Sequence, residues 1–200
     1  MEKEKSQILL DYFLETENLK QTKRYARYPG YEESVTDHSY FVCFLAIKLI
    51  DEYDLKLNFE KVIKMCLYHD LCELDLITDY DSYEASKTKA IKEKKSEYEK
   101  ERIKQLSQKF SQPDLCKIFS EYKRQETSES KFVKAVDKLE TTLHIIKING
   151  TIKNEEFTVS YCDDAIRNFP RLIPFYLLVK QKLKEKYISL GFEWKSNYDF

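Results

Sequence analysis

The chain has only three histidines among its 200 residues, and the surroundings of His38 and His69 suit a divalent metal ion. Asp70 follows His69 directly and Glu73 comes shortly after, while Asp137 interrupts an apolar-periodic run in a later segment. Imidazole nitrogens and carboxylate oxygens are donors that divalent ions accept, and such an ion beside a carboxylate base is suited to hydrolysis. If 69–73 continues the helix before it, Glu73 lies one turn from both His69 and Asp70, at i+4 and i+3. One helix end would then offer two ligands and a base.

The elements that must hold these residues read as helices. Phe59, Val62, Ile63, Met65, Cys66 and Leu67 carry helical spacing without Gly or Pro, so a buried helix leads up to His69. Ser34 and Asp37 have the spacing of a helix-capping pair, which puts His38 in the first turn of a central apolar helix ending near 51–54. A helix over 128–148 bears Phe132, Val136, Leu139, Leu143 and Ile146 as its core stripe, with Asn149-Gly150 as its stop. Asp137 inside that helix implies a partner, a solvent gap or a metal.

Elsewhere the pattern predicts a first helix over 3–16, with Ile8, Leu9, Tyr12 and Phe13 packing inward. An irregular stretch at 17–34 gathers Lys20, Lys23, Arg24 and Arg27 around Pro29-Gly30, which suits an anionic ligand. Asp75, Asp79 and Asp81 crowd a predicted loop after Glu73. The Lys- and Glu-rich stretch 86–109 reads as a long solvated helix, 114–124 as a shorter one, and 175–190 as a last helix ending at Gly191. Three glycines and four prolines are few for a turn-rich β protein, so the fold class is all-α.

Lys+Arg number 34 and Asp+Glu 35, which leaves no basic footprint for a nucleic acid polymer. The longest apolar stretch, 40–50, is too short to span a bilayer and contains Lys48. Five cysteines without a CxxC pair read as buried free thiols in a reducing, cytoplasmic compartment. Cys66 and Cys72 flank His69, yet six helical residues rise about 9 Å, too far for two thiolates on one zinc.

Three segments carry a family resemblance: Glu33-Ser34-Val35-Thr36-Asp37-His38-Ser39-Tyr40, His69-Asp70-Leu71-Cys72-Glu73, and Lys134-Ala135-Val136-Asp137-Lys138-Leu139-Glu140. Together they resemble the HD-domain phosphohydrolases, in particular the 5'-deoxynucleotidase branch with its phage-type members, over residues 19–145. The resemblance implies a compact helical bundle at 1–150, with 151–200 as a C-terminal helical extension packed on it. It also implies one divalent ion (Mn, Co, Fe, Zn or Mg) on His38, His69, Asp70 and Asp137. Glu73 is expected to activate water and Arg24 to grip phosphate. Tyr25 stands where many members have Trp, so base stacking is expected to differ. Asp79 lies one residue beyond the family's usual carboxylate position, which Thr78 occupies, and inherits its role toward substrate or water.

The expected activity is release of phosphate from deoxynucleoside 5'-monophosphates; the alternatives are release of triphosphate from deoxynucleoside triphosphates, or an inert nucleotide-binding module. Leu74 after Glu73 departs from the alarmone-hydrolase pattern, and a two-metal site would want more histidines. His144 matches no motif and reads as a core residue or a support behind the ligands, and Lys138 and Glu140 as surface or pairing residues. The expected partners are a small-molecule nucleotide and further copies of the chain, as a homodimer or larger homo-oligomer, with no nucleic acid polymer and no membrane.

Overall fold

Side-chain caps start four of the helices in the computed structural model, which describes residues 2–24, 33–74, 87–148 and 155–200. After α1 (Glu2–Thr16) and a 3-10 turn at Glu17–Lys20, α2 (Val35–Glu52) opens with a complete capping box. Ser34 N–H donates to Asp37 Oδ2 at 2.9 Å and Asp37 N–H to Ser34 Oγ at 3.1 Å, which satisfies two otherwise orphaned donors. Asn58 caps α3 (Phe59–Tyr68), Thr88 caps α4 (Lys89–Lys109) and Thr127 caps α6 (Ser128–Lys147). α5 (Pro113–Arg124) starts on a proline, whose missing N–H costs nothing in the first turn. The chain closes with α7 (Glu155–Ser160), α8 (Asp163–Arg167) and α9 (Ile173–Ser189). Among the described residues there is no strand, only an isolated antiparallel bridge between Lys23 and Ser34.

The core forms where α2, α3 and α6 meet. Val42, Ala46, Val62, Met65, Cys66, Val133, Val136 and Leu139 are buried together there. Ile166, Leu172, Tyr176 and Val179, from the C-terminal elements, belong to the same cluster. A second cluster places Ile103 and Leu106 of α4, Phe110 just past its end, and Leu115 and Phe119 of α5 over Leu71, Cys72 and Leu74.

Two sequence expectations fail here. The apolar stripe of α1 does not pack inward: Leu9 and Phe13 are 50% and 58% exposed, and only Tyr12 turns its ring edge onto Phe110, at 4.7 Å. Amphipathic spacing supplies a buriable face; it does not supply a partner for it. The helix bearing His69 also does not continue through Glu73. His69 keeps helical angles, Asp70 departs at φ −111° and ψ 12°, and Leu71–Glu73 forms a 3-10 turn.

The C-terminal elements carry a buried charge. Lys180 Nζ donates to Asp163 Oδ1 at 2.9 Å and to the Val159 carbonyl at 2.7 Å, and the Tyr176 hydroxyl donates to the same Asp163 oxygen at 2.5 Å. Removing one partner of a buried ion pair strands the other. Asp163→Ala is therefore expected to cost about 3–5 kcal/mol in urea unfolding, whereas Lys182→Ala, at an exposed pair with Glu185, should shift stability by less than about 0.5 kcal/mol.

Candidate metal centre

Three helices deliver the imidazoles and carboxylates to one point. The capping box fixes the start of α2 and with it His38, which is fully buried; the C-terminal end of α3 supplies His69, and the middle of α6 supplies Asp137. His69 Nδ1–H donates to the Cys66 carbonyl at 2.8 Å, one turn back. His38 Nδ1 meets Glu140 Oε2 at 2.5 Å. A carbonyl and a carboxylate only accept, so each ring's hydrogen is drawn to Nδ1 and each Nε2 lone pair faces the other ring, 3.3 Å away.

Carboxylate oxygens close the ring. Asp137 Oδ1 lies 3.4 Å from His38 Nε2, and Asp70 Oδ2 lies 3.2 Å from His69 Nε2 and 3.7 Å from His38 Nε2. Two donors that share one ion at about 2.1 Å stand about 3.0–3.5 Å apart, a range that holds every one of these separations except that between Asp70 and His38. Within the ring, His38, His69 and Asp137 form the tight group, with donor atoms all within 4.8 Å of one another. Asp70 joins through the histidines. A second group meeting the same limit is Glu33, His38 and Glu140, which meets the other nitrogen of His38, Nδ1, through Glu140.

Protonation equilibria reflect the converging acceptors. Burial and the Arg24 charge push His38 down, but hydrogen bonds to Asp137 and Glu140 outweigh them and raise its pKa to about 9. A proton and a metal ion therefore compete for the same lone pair. Burial alone would raise Asp137 and Asp70, yet Lys134 and Lys138 hold the first well below the usual carboxylate range, and His69 and Arg24 do so for the second. Burial raises Glu33 to about 8, with the Glu140 carboxylate adding to it.

Arg24 is buried and held in place by its backbone. Its N–H donates to the Glu33 carbonyl at 2.8 Å, and Val35 N–H to the Thr22 carbonyl at 3.0 Å. Arg24 Nη1 reaches Asp70 Oδ2 at 2.8 Å, so an anion gripped by this guanidinium would lie beside the ligand ring. Glu73 is buried at the end of its 3-10 turn, where a period of three residues sets it above Asp70. It lines a cavity of about 890 Å³ with Arg24, Asp70 and Asp137. Tyr25 and Asp79, like Arg27, Asp75, Asp81 and Asn149-Gly150, lie outside the described residues.

Several contributors escaped the sequence reading. Lys92, Lys95, Ser96, Glu99 and Lys100 of α4 line the cavity, so one face of the charge run is not merely solvated. Lys138 lines it too and donates to the Tyr161 hydroxyl. Tyr122 and Lys134 both bond Asp137. Lys134 lies one helical turn from Asp137, a spacing readable in advance; Tyr122 has no local signal, because its position depends on how α5 packs on α6. Glu140 was read as a surface or a pairing residue; it is buried, so the surface alternative falls, and its partner is His38. His144 stands behind the ring, with Nδ1 3.4 Å from Glu33 Oε1.

An all-helical bundle that converges two imidazoles and two carboxylates beside a cation-lined cavity defines a class of metal-binding helical proteins. A family model described as "HD domain" matches residues 16–165, and the chain belongs to the HD-domain family. It is 33% identical over 114 residues to 5'-deoxynucleotidase HDDC2 of Bos taurus, a match covering 56% of this chain and 52% of that protein. It is 28% identical over 144 residues to 5'-deoxynucleotidase hdd1 of Schizosaccharomyces pombe, covering 66% and 69%. The chain thus spans about half the length of the bovine relative. A structure titled as a predicted metal-dependent phosphohydrolase from Magnetospirillum magnetotacticum superposes with TM-score 0.68 at 21% identity, covering 94% of this chain and 97% of that one. PH0347 from Pyrococcus horikoshii superposes with TM-score 0.65 at 20% identity, covering 91% and 98%. Both show the shared fold. Among the described residues no helix is long and apolar enough to cross a membrane.

Since Glu140 fixes the ring hydrogen and orientation of His38, Glu140→Ala is expected to weaken Mn(II) binding by about 10- to 100-fold. Competition against a fluorescent chelator measures this directly.

Proposed function

We propose that the chain is a metal-dependent phosphohydrolase that converts deoxynucleoside 5'-monophosphates to deoxynucleosides and phosphate. The observation that carries this reading is the pair of facing Nε2 atoms, 3.3 Å apart, with carboxylates around them and a cavity beside them. His38, His69, Asp70 and Asp137 would hold the ion, and Mn or Co suits a mixed nitrogen and oxygen donor set. When bound, that ion acidifies water and polarises the phosphoryl group.

The chain's own groups supply the rest. Glu73 takes a proton from the attacking water, whose oxygen bonds to phosphorus as the bond from phosphorus to the ester oxygen breaks; the departing 5'-oxygen keeps the electron pair and takes up a proton to give the deoxynucleoside. Arg24 stabilises charge on the phosphoryl oxygens. Tyr25 and Asp79 are assigned to the substrate on sequence alone. The cavity lining supports an anionic substrate, with Arg24, Lys92, Lys95, Lys100, Lys123, Arg124, Lys134 and Lys138 against Asp70, Glu73, Glu99, Asp137 and Asp164. The likeness to two proteins named 5'-deoxynucleotidases supports the substrate class. All five cysteines are free thiols, which supports a cytoplasmic setting. Self-association as a homodimer or larger homo-oligomer is part of the same reading.

Purified protein given Mn(II) or Co(II) and each deoxynucleotide is expected to release orthophosphate from monophosphates. Triphosphate release from deoxynucleoside triphosphates would replace this activity with the alternative, and no metal-dependent release from any nucleotide would refute an enzymatic role. Asp137→Ala should lose both metal and turnover, whereas Glu73→Ala should keep the metal and lose about 10²-fold or more in kcat. Metal binding by Asp137→Ala as tight as the parent's would show the ligand set to be wrong.

A further inference from the structure

Asp137 has two carboxylate oxygens, and its surroundings treat them differently. The Tyr122 hydroxyl and Lys134 Nζ both donate to Oδ2, each at 2.9 Å. Lys134 Nζ also donates to the Tyr122 oxygen at 2.9 Å, which closes a triangle around Oδ2. Oδ1 faces His38 Nε2 at 3.4 Å. Had these donors served only to satisfy a buried carboxylate, they could have been shared between its oxygens.

The clamp is rigid. Tyr122 is 3% exposed, and its ring meets His69 edge-on at 5.5 Å, so one side chain braces two members of the ligand ring. Its helix is fixed against α6 by the corner between them. Gln125 ends α5 in the left-handed region at φ 56°, and its amide donates to the Ser130 carbonyl at 3.0 Å. Thr127 Oγ1 donates to Glu121 at 2.7 Å across the same corner.

We propose that Tyr122 and Lys134 are positioning residues that occupy Asp137 Oδ2, limit Asp137 to one oxygen toward the metal, and so preserve a coordination position for water or a phosphate oxygen. This rests on the metal-centre reading above. Without the clamp, Asp137 is free to chelate through both oxygens and displace a water.

The test is water-proton relaxivity per bound Mn(II), measured on the loaded full chain alongside kcat and KM. In the double variant Tyr122→Phe with Lys134→Met, relaxivity is expected to fall by roughly half, because a six-coordinate ion with four protein ligands keeps two waters and loses one. The value of kcat should fall about 10-fold or more, with a smaller change in KM. Lys134→Arg, which keeps the donors, should retain the parent's relaxivity. Should the double variant not fold, Lys134→Met alone carries the measurement, since that side chain is 33% exposed. Parental relaxivity in the folded Met variants overturns the inference while leaving the metal centre intact; failure of the parent chain to bind Mn(II) overturns both.

Discussion

Two imidazole nitrogens that face each other lone pair to lone pair repel unless a proton or a metal ion lies between them, and the rest of the fold bears this constraint. Each ring is committed through its other nitrogen, His69 to the Cys66 carbonyl and His38 to Glu140, so neither can turn away to relieve the repulsion. Packing of α2, α3 and α6 around Val42, Met65 and Val136 brings the rings together. Hydrophobic burial thus holds in place a polar arrangement that would be unfavourable on its own.

A network of short contacts joins Arg24 to both histidines. Arg24 touches Asp70 and Glu33, Glu33 adjoins Glu140 and His144, and Glu140 holds His38. Charge placed against Arg24 is therefore felt at both histidines through short, buried contacts, where screening by solvent is weak.

The parts of this arrangement that were legible in the sequence are those written in local spacing. The capping pair at Ser34 and Asp37 placed His38 in a first turn, the apolar period before His69 announced α3, and the carboxylate of Asp137 inside a core stripe marked it as partnered. What could not be read depends on tertiary packing. Whether α1 finds a surface for Leu9 and Phe13, which face of α4 meets the cavity, and that Tyr122 reaches Asp137 from another helix are settled by how helices dock. The break at Asp70 is subtler: nothing in the run His69-Asp70-Leu71 forbids a helix, and the tighter turn buries Leu71, Cys72 and Leu74 against α4 and α5, a gain invisible to local pattern.

The family match stops at residue 165, but the apolar core does not. Leu172 and Tyr176 are fully buried in the same cluster as Val133, Val136 and Leu139 of the helix that carries Asp137. The stretch recognisable by descent and the unit that must fold cooperatively therefore end at different places. Past residue 165 the family pattern gives no guide, yet the side chains facing α6 still answer to volume and shape. The tail of the chain is accordingly bound in geometry, and at Tyr176 and Lys180 in chemistry as well, and a shift in its packing reaches Asp137 through the backbone of a single helix.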